Sequence, residues 1–405
     1  MKTGETTFAG YHRSDASVGV RNQVVIMPTV YCANETARLI ANRVDGVVTL
    51  SHPFGCDEPG PEPRYQGQVI NNLVGIAENP NVAGVLVLGL GCEVLKAREL
   101  TDRLAAAPKP VVSLVIQETG GTVKTVRKGA EIVREMVEET KGFERDEVEL
   151  SHLTLALDCG GSDATSGIAA NPAVGAAVDM LIDAGGTAIF TEPGEMIGTE
   201  HILTRRAVNP EVRDRINRMV SNEETRWKAL DIEPSWMSPG NVEGGLTTIE
   251  EKSLGAIQKG GSTPICGVLE NSMRVLERPR RPGLYLQDGS GADVHGVTHM
   301  VAAGAQVVIF TTGKGSTVGY ATAPVIKVTG NPRTFDHMED DMDVNAGAII
   351  TGQRSITQVG EEIFRMIIRV ASGEETKSES LGYRDFEIYG PNPLVNKTLG
   401  IKEGL

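Results

Sequence analysis

The sequence predicts an α/β fold built from parallel-sheet, Rossmann-like domains in two or three layers. Short apolar runs recur along the chain, and most end in Gly, Cys or a small polar residue, which is typical of strands buried on both faces of a parallel sheet. Amphipathic segments of helical period lie between these runs. With 405 residues, the chain is long enough for two or three domains that each bury a core.

The predicted strands are runs rich in Val, Ile and Leu. They cover residues 23–30, 47–50, 82–90, 153–157, 187–190 and 306–310. The predicted helices have apolar side chains at helical spacing, and one of them starts with Asn171-Pro172, where Pro suits the first helical position. These helices cover residues 35–41, 120–138, 171–184 and 359–372.

A polar stretch at residues 138–151 is the best linker in the sequence. It divides the chain into an N-terminal α/β domain, residues 1–145, and a larger C-terminal α/β domain, residues 146–405. The sequence RPRRPG at 278–283 is a second candidate boundary. We find no short-period repeat.

Composition excludes several classes of partner. The net charge of −14 disfavours nucleic acid and anionic membranes, and a chain with 2 Trp, 7 Tyr and 8 Phe offers few rings on which bases could stack. No apolar run is long enough to span a membrane, and the first residues lack the apolar core of a secretory signal. The 5 Cys then indicate free thiols or metal ligands in a reducing cytoplasm.

Cysteines follow four of the predicted strands, at Cys32, Cys56, Cys92 and Cys159. Because ligands bind beyond the carboxyl ends of parallel strands, these positions are candidate metal ligands. His52 lies four residues before Cys56, and a thiolate with an imidazole can hold Fe(II) or Zn. We therefore predict a metal site made of His52, Cys56, Cys92 and Cys159. The competing interpretation is that these cysteines are small buried apolar residues.

Two loops of small residues are candidate anion sites. Cys159 is followed by Gly160, Gly161 and Ser162, whose backbone N–H groups and hydroxyl could bind a carboxylate or another oxyanion. The strand at 306–310 leads into a similar loop, which contains Thr312, Gly313 and Lys314. This loop does not have P-loop spacing, and the alternative for its lysine is a solvated surface cation.

Three further polar residues complete the candidate site. Asp163 belongs to the first loop, Glu195 follows the predicted strand at 187–190, and Asn345 ends an acidic stretch at 336–345. We predict catalytic roles for Lys314, Glu195 and Asp163, and substrate binding by Gly160, Gly161, Ser162, Thr312, Gly313 and Asn345. The acidic stretch lacks EF-hand spacing, and a solvated loop is the default interpretation for most of it.

Several motifs, in order along nearly the whole chain, resemble the large catalytic core of the altronate/galactarate dehydratase family. They include Gly10-Tyr11-His12-Arg13, His52-Pro53-Phe54-Gly55-Cys56, Asn79-Pro80-Asn81, Gly91-Cys92-Glu93, Cys159-Gly160-Gly161-Ser162-Asp163, Thr191-Glu192, Ser238-Pro239-Gly240-Asn241, Glu250-Glu251-Lys252-Ser253 and Asn345-Ala346-Gly347. Two stretches depart from altronate-type sequences, Lys259-Gly260-Gly261-Ser262 and Gly283-Leu284-Tyr285-Leu286-Gln287-Asp288. Both departures count against altronate as the substrate.

The resemblance implies a lyase that acts on a small anionic 2-hydroxy acid with the help of Fe2+. Other divalent metals or a three-cysteine iron–sulfur cluster remain alternatives. The core starts almost at residue 1, so we expect a separate small alpha subunit to carry the domain that precedes it in single-chain members, and we expect an oligomer. Our first interpretation is elimination of sulfite from (2R)-3-sulfolactate to give pyruvate, with Lys314 and the loop at 160–163 near the sulfonate. The alternatives are dehydration of a sugar acid to a 2-keto-3-deoxy acid, or a non-catalytic anion-binding subunit.

Overall fold

Three β-sheets organise the chain in a computed structural model, which describes residues 6–56, 67–229, 231–233, 235–272 and 274–388. The strands are β1 (Thr7–His12), β2 (Val18–Gly19), β3 (Gln23–Pro28), β4 (Val47–Thr49), β5 (Val82–Gly89), β6 (Val111–Val115), β7 (Asp146–Glu149), β8 (Thr154–Cys159), β9 (Thr187–Phe190), β10 (Ile265–Glu270), β11 (Gly283–Asp288), β12 (Val307–Thr312), β13 (Val325–Thr329) and β14 (Val344–Asn345).

The α-helices are α1 (Asn34–Ala41), α2 (Gly67–Glu78), α3 (Ala97–Arg103), α4 (Ile116–Thr119), α5 (Thr122–Thr140), α6 (Asn171–Asp183), α7 (Glu200–Leu203), α8 (Pro210–Ala229), α9 (Pro239–Glu243), α10 (Ile249–Ala256), α11 (Asp293–Ala302), α12 (Pro332–His337), α13 (Ile356–Ala371) and α14 (Lys377–Ser380). Within the described residues, none of them combines the length and the apolar character that a membrane span requires.

The two larger sheets are entirely parallel. The first has the strand order β4-β3-β5-β6, and the second has the order β10-β11-β9-β8-β12-β13-β14. A small antiparallel sheet with the order β2-β1-β7 accompanies them. The prediction of an α/β fold with parallel sheets is therefore confirmed.

Both parallel sheets are covered on two faces. In β3, Val24 and Ile26 pack into one apolar core, while the alternate residues Val25 and Met27 pack into another. The seven-stranded sheet is covered in the same way. Leu157 of β8 packs into one apolar core, and Phe310 of the neighbouring β12 packs into another. Burial on both faces explains why the strand sequences are continuously apolar and do not alternate between apolar and polar residues.

Helix boundaries differ from the predictions where glycine or a cap decides them. The predicted helix at 120–138 is interrupted at its start, because Gly120 and Gly121 have φ of 92° and 95°, and α5 begins at Thr122. Helix α13 begins at Ile356, three residues before the predicted start, behind a capping box formed by Ser355 and Gln358.

The polar stretch at 138–151, predicted as a linker, contains a strand. Its β7 pairs antiparallel with β1, so that Phe8 lies opposite Val148. The stretch at 278–283 leads directly into β11, which lies inside the seven-stranded sheet between β10 and β9. The division into residues 1–145 and 146–405 stays a proposal.

Two buried asparagines connect the four-stranded sheet to the seven-stranded one. Asn79 donates to the carbonyls of Val301 and Ala305, at 2.8 Å each. Asn81 donates to the carbonyl of Gln306 at 2.8 Å and to that of Thr322 at 3.0 Å. Gln306 in turn accepts from the Thr154 N–H at 2.6 Å, at the start of β8. The motif Asn79-Pro80-Asn81 thus connects the two parallel sheets.

We expect Asn81→Ala to destabilise the protein by about 2–4 kcal/mol, because the change leaves three buried backbone groups without their partner. Asn81 donates two hydrogen bonds and accepts one from the Val20 N–H, and its side chain is fully buried. Urea unfolding monitored by circular dichroism measures the loss. Asn42→Ala, at the end of α1, is the control with little effect. An unchanged unfolding midpoint for Asn81→Ala would contradict this role.

Candidate active site

The carboxyl edge of the seven-stranded sheet carries a buried group of charged side chains. Strand β8 ends at Cys159, and β9 is followed by Glu192 and by the 3-10 turn that contains Glu195. Helix α10 contributes Lys252, and the turn that follows it contributes Lys259. We call these five residues the charged cluster.

Cys159 lies at the centre of the charged cluster. Its Sγ is 3.1 Å from Glu195 Oε2 and 3.5 Å from Glu192 Oε2. The same sulfur lies 3.0 Å from Lys259 Nζ and 3.3 Å from Lys252 Nζ. Two ammonium groups and two carboxylates therefore meet around one thiol.

The charges of the cluster are paired inside the protein. Lys259 forms an ion pair with Glu192, and both side chains are 1% exposed. Lys252 Nζ lies 2.8 Å from Glu195 Oε2 and donates to Ser162 Oγ at 2.7 Å. Because a buried charge without a partner is very costly, each of these residues depends on its neighbours.

The protonation states follow from burial and from these neighbours. Burial, followed by the charge of Glu195, raises the pKa of Glu192 to about 7. Burial also opposes ionisation of Glu195, but Lys252 and Lys259 outweigh it and hold the pKa of Glu195 below its ordinary value. Burial, then Glu192 and Glu195, raise the pKa of the Cys159 thiol, so the sulfur is protonated at neutral pH.

The two lysines stay charged. Burial works against the charge on Lys252, but the carboxylates of Glu195 and Glu192 raise its pKa above the ordinary value. The pKa of Lys259 is raised in the same way by Glu192 and Glu195. The site thus presents two ammonium groups in a poorly hydrated environment, where their electrostatic effect is strong.

The backbone of Glu192 is in the left-handed region, with φ of 76° and ψ of 61°. A non-glycine residue adopts this conformation at a cost of about 1–3 kcal/mol, and such residues concentrate at functional sites. Glu192 begins the tight turn Pro193–Met196, which brings Glu195 back towards the same sulfur. The strained residue therefore allows two carboxylates, three positions apart, to meet at Cys159.

Two aspartates border the charged cluster. Asp158 is buried at the end of β8, its Oδ1 accepts from the Cys159 N–H at 3.0 Å, and burial and Glu192 raise its pKa. Asp293, in the first turn of α11, faces Gly160 so closely that a Cβ on this glycine would lie 2.3 Å from Asp293 Oδ2. Burial, followed by Glu195, raises the pKa of Asp293 to about 6.

A cleft gives access to the charged cluster from one side. Its volume is about 420 Å³, and its walls include Ser162, Gly167, Asn171, Lys252 and Leu254. The Ser162 hydroxyl accepts from the Lys252 ammonium, so both groups lie between the cleft and Cys159. A small anionic molecule in this cleft would meet a buried cation.

Cys159, Glu192 and Glu195 form a group that could hold a metal ion, because their ligand atoms all lie within 4.8 Å of one another. One sulfur and two carboxylate oxygens suit a borderline divalent metal. The residues therefore fit such an ion by donor type, although the two ammonium groups contact the same atoms and would compete with it.

Three residues predicted from the sequence meet here, and each lies after a strand or in a strand-end loop. Cys159 was predicted as a metal ligand, Glu195 as a catalytic residue and Ser162 as a substrate-binding residue. In the structure, Lys252 connects all three through contacts of 2.7–3.3 Å.

Two other predicted residues have structural partners. Asp163 Oδ1 accepts from the Thr165 and Ser166 N–H groups, and its Oδ2 accepts from Asn331 Nδ2 at 2.9 Å. Its carboxylate thus organises the turn before α6. Asn345 Oδ1 accepts from the Gly347 N–H at 2.9 Å and caps a short helical turn after β14. Catalysis by Asp163 and substrate binding by Asn345 stay predictions.

The two predicted anion loops contact each other. Gly161 has φ of 59°, and its carbonyl accepts from the Gly313 and Lys314 N–H groups at 3.1 and 2.8 Å. Thr312 Oγ1 accepts from the Gly315 N–H at 2.9 Å. Lys314 Nζ forms a surface ion pair with Glu243 at 2.7 Å. The roles of these residues and of Gly160 in catalysis or binding are untested predictions.

The predicted metal ligands occupy two different sheets. Only Cys159 belongs to the group of ligand atoms that the described residues bring within 4.8 Å, whereas His52, Cys56 and Cys92 follow strands of the four-stranded sheet. His52 is buried: its Nε2 lies 2.8 Å from the Pro28 carbonyl, and its Nδ1 accepts from the Phe54 N–H. The described residues therefore bring Cys159 together with two glutamates and not with His52, Cys56 and Cys92, and metal binding by these four residues stays a prediction.

Sequence reasoning missed four important residues, Glu192, Lys252, Lys259 and Asp293. The signal for Glu192 was present, because it directly follows Thr191 at a strand end, as Cys159 does in β8. The lysines had no strand-end signal, because they lie about a hundred residues from Cys159 and reach it from a helix and a turn. Their only signal was the family resemblance, in which Lys252 lies in a shared motif and Lys259 in a stretch that departs from altronate-type sequences.

Comparison with known proteins gives the family. Residues 150–393 match the family model for the C-terminal part of D-galactarate/altronate dehydratase, and residues 10–141 match that for the second domain of D-galactarate dehydratase/altronate hydrolase. The chain is 36% identical over 390 residues to the (2R)-sulfolactate sulfo-lyase subunit beta of Chromohalobacter salexigens, covering 95% of this chain and 98% of that protein.

Two dehydratases are similarly related. The altronate dehydratase of Bacillus subtilis is 34% identical over 395 residues, covering 95% of this chain and 77% of that protein. The galactarate dehydratase (L-threo-forming) of Escherichia coli is 35% identical over 427 residues, covering 96% and 77%.

The protein has parallel sheets, a buried charged cluster beside a cleft, and relatives that are named lyases or dehydratases. It is therefore an enzyme of the lyase class. The chain belongs to the D-galactarate/altronate dehydratase family. The alternative of a non-catalytic anion-binding subunit is therefore set aside.

We expect Lys259→Met and Glu192→Gln each to destabilise the protein by about 3–5 kcal/mol, because each leaves a buried partner unpaired. The double variant should lose much less than the sum of the two, and a double-mutant cycle of unfolding free energies measures this coupling. The exposed pair Glu138–Lys141 is the control, for which all three variants should change little. Additive losses at Glu192 and Lys259 would contradict the pairing.

Proposed function

We propose that the chain is the large subunit of a lyase that eliminates sulfite from (2R)-3-sulfolactate and forms pyruvate. The observation that carries this proposal is the buried Lys252 ammonium in the wall of the cleft, with a second buried ammonium, Lys259, on the same Cys159 sulfur. Sulfolactate has a carboxylate and a sulfonate, and a cation in the cleft wall with a second one behind it suits such a dianion. The 36% identity to a sulfo-lyase beta subunit supports the same substrate.

Elimination requires a base for the proton on C2 and stabilisation of the charge that develops on the substrate carboxylate. We assign Asp293 as the base, because its pKa of about 6 keeps it ionised at neutral pH while it remains a useful proton acceptor. The Lys252 and Lys259 ammonium groups then stabilise the developing enediolate. The C3–S bond breaks, sulfite leaves with the electron pair, and the enol of pyruvate takes up a proton at C3.

Fe2+ is the cofactor that we propose, held by Cys159, Glu192 and Glu195. When bound there, it would supply a Lewis acid for the 2-hydroxy carboxylate. With Cys159, Glu192 and Glu195 committed to a metal, Lys252 and Lys259 would be available to the substrate.

A small alpha subunit is the partner that we propose. The sulfo-lyase relative is named a beta subunit, so that protein works with at least one other chain. The cleft beside Lys252 is open to solvent on its outer side, and Ile168 and Leu254 in its walls are exposed. A second chain over this opening would exclude water from the reaction.

Dehydration of a sugar acid is the second candidate function. Identities of 34% and 35% to altronate and galactarate dehydratases favour it nearly as much as the sulfo-lyase relative favours the first. Loss of hydroxide from C3 would need a general acid, and buried Asp158, whose pKa is raised, would be available for that role.

The assay that decides between them uses the chain with a small alpha subunit and Fe2+ under anaerobic conditions. We expect sulfite and pyruvate in equal amounts from sulfolactate, and no 2-keto-3-deoxy acid from altronate or galactarate. Formation of a keto-deoxy acid without sulfite release would replace the first function by the second.

We expect Asp293→Asn to lower kcat by roughly 100- to 10,000-fold, which is the usual contribution of a general base. In the wild type, kcat/KM should fall as the pH drops below about 6, because the base must be ionised and its pKa is about 6. This acidic limb should disappear in the variant. Asp214→Asn, exposed on α8, is the matched control. An unchanged acidic limb in Asp293→Asn would assign the base elsewhere.

A further inference from the structure

We propose that Cys32, Cys56 and Cys92 together bind an iron–sulfur cluster at the carboxyl edge of the four-stranded sheet. This site is separate from Cys159 and does not depend on the substrate proposed above. We call the three residues the cysteine edge.

The order of the strands brings the three cysteines to one edge. Cys32 follows β3, Cys56 follows β4 and Cys92 follows β5. These strands are neighbours in the order β4-β3-β5, and all are parallel. The carboxyl ends of parallel neighbours lie side by side, so three loops with one cysteine each lie next to one another.

Hydrogen bonds connect the three loops directly. The Tyr31 N–H donates to the Phe54 carbonyl at 2.9 Å, which joins the loop of Cys32 to that of Cys56. The Val94 N–H donates to the Gly55 carbonyl at 3.1 Å, which joins the loop of Cys92 to that of Cys56. The loop of Cys56 therefore lies between the other two, with both neighbours attached to the residues just before its cysteine.

Gly55 is required for this arrangement. Its φ is 94°, and a Cβ there would lie 2.1 Å from the Thr29 carbonyl oxygen. Buried His52 supports the same loop through the Pro28 carbonyl and the Phe54 N–H, and burial lowers its pKa to about 4, so the ring is neutral. His52 is thus a positioning residue for the loop of Cys56.

All three cysteines are exposed, whereas Cys159 is buried and Cys266 is intermediate. Cysteine is among the most buried residue types, so packing does not account for three exposed cysteines on adjoining loops. Three free thiols that face solvent at one edge form a ligand set of a kind that soft metals and iron–sulfur clusters use.

The three sulfurs do not lie close enough together to share one ion in this structure. In the part of the chain that the structure describes, the cysteine edge is not among the groups whose ligand atoms all lie within 4.8 Å of one another. One tetrahedral ion needs its ligands that close, whereas a cluster distributes three thiolates over different irons. Three protein ligands leave one iron position for a non-protein ligand.

Purification of the full chain under anaerobic conditions, with iron and sulfide supplied during expression, tests the proposal. We expect acid-labile sulfide and a visible charge-transfer absorbance, with iron at least equal to the sulfide, because Fe2+ at Cys159 would add to the iron of the cluster. Cys32→Ser, Cys56→Ser and Cys92→Ser should each lose most of the sulfide and the colour. Cys266→Ser and Cys159→Ser are the matched controls and should retain both.

Protein that contains zinc alone, or wild-type protein without labile sulfide after reconstitution, would overturn the proposal, and so would serine variants that keep the colour. Should the variants not fold, alkylation of the wild-type protein gives the answer. Cys32, Cys56 and Cys92 should be protected until a chelator removes the iron, while Cys266 reacts equally before and after. Neither measurement uses turnover, so their outcome is independent of the substrate.

Discussion

The buried ion pairs around Cys159 are the interaction on which the rest of the site depends. Removing an ammonium or a carboxylate group from water costs several kcal/mol, and only close partners recover that cost. Lys259 forms an ion pair with Glu192, and Lys252 forms an ion pair with Glu195 and donates to Ser162. The pairs can form only if β8, β9, α10 and the turn after it hold their positions, so the seven-stranded sheet and its helices act as a frame for four charges.

This constraint explains local features that would otherwise be costly. Glu192 accepts a left-handed backbone because the turn that follows must return Glu195 to the same sulfur. Gly160 has to be glycine because the Asp293 carboxylate occupies the space of a Cβ. Strain and close approach thus appear where the chain leaves the sheet, which is also where ligands bind in parallel-sheet proteins.

The architecture could be predicted from the sequence because it depends on short-range patterns. Continuous Val, Ile and Leu runs indicate doubly covered strands, and the six predicted strands are present. The rule that ligands bind at the carboxyl ends of parallel strands also identified Cys159, Ser162 and Glu195 as candidate site residues, and these three lie together. It did not identify Lys252 and Lys259, because they approach Cys159 from outside the sheet, and nothing in their local sequence indicates burial. The same rule predicted one site from His52, Cys56, Cys92 and Cys159. The sequence does not show that the chain forms two parallel sheets, each with its own carboxyl edge.

The charge balance of the cluster limits what can bind beside it. Two ammonium groups face two carboxylates, and the Cys159 thiol is protonated, so the group is close to neutral. A neutral site has no net attraction for a dianion, and a dianion that contacts Lys252 and Lys259 must compete with Glu192 and Glu195. Positive charge has to be added, either by protonation of Glu192, whose pKa is about 7, or by a divalent cation on the thiol and the two carboxylates. On the function proposed above, a cation held by the thiol and the two carboxylates would leave both lysines free for the substrate. The donors proposed for the metal, Cys159, Glu192 and Glu195, are paired with Lys252 and Lys259 in this structure.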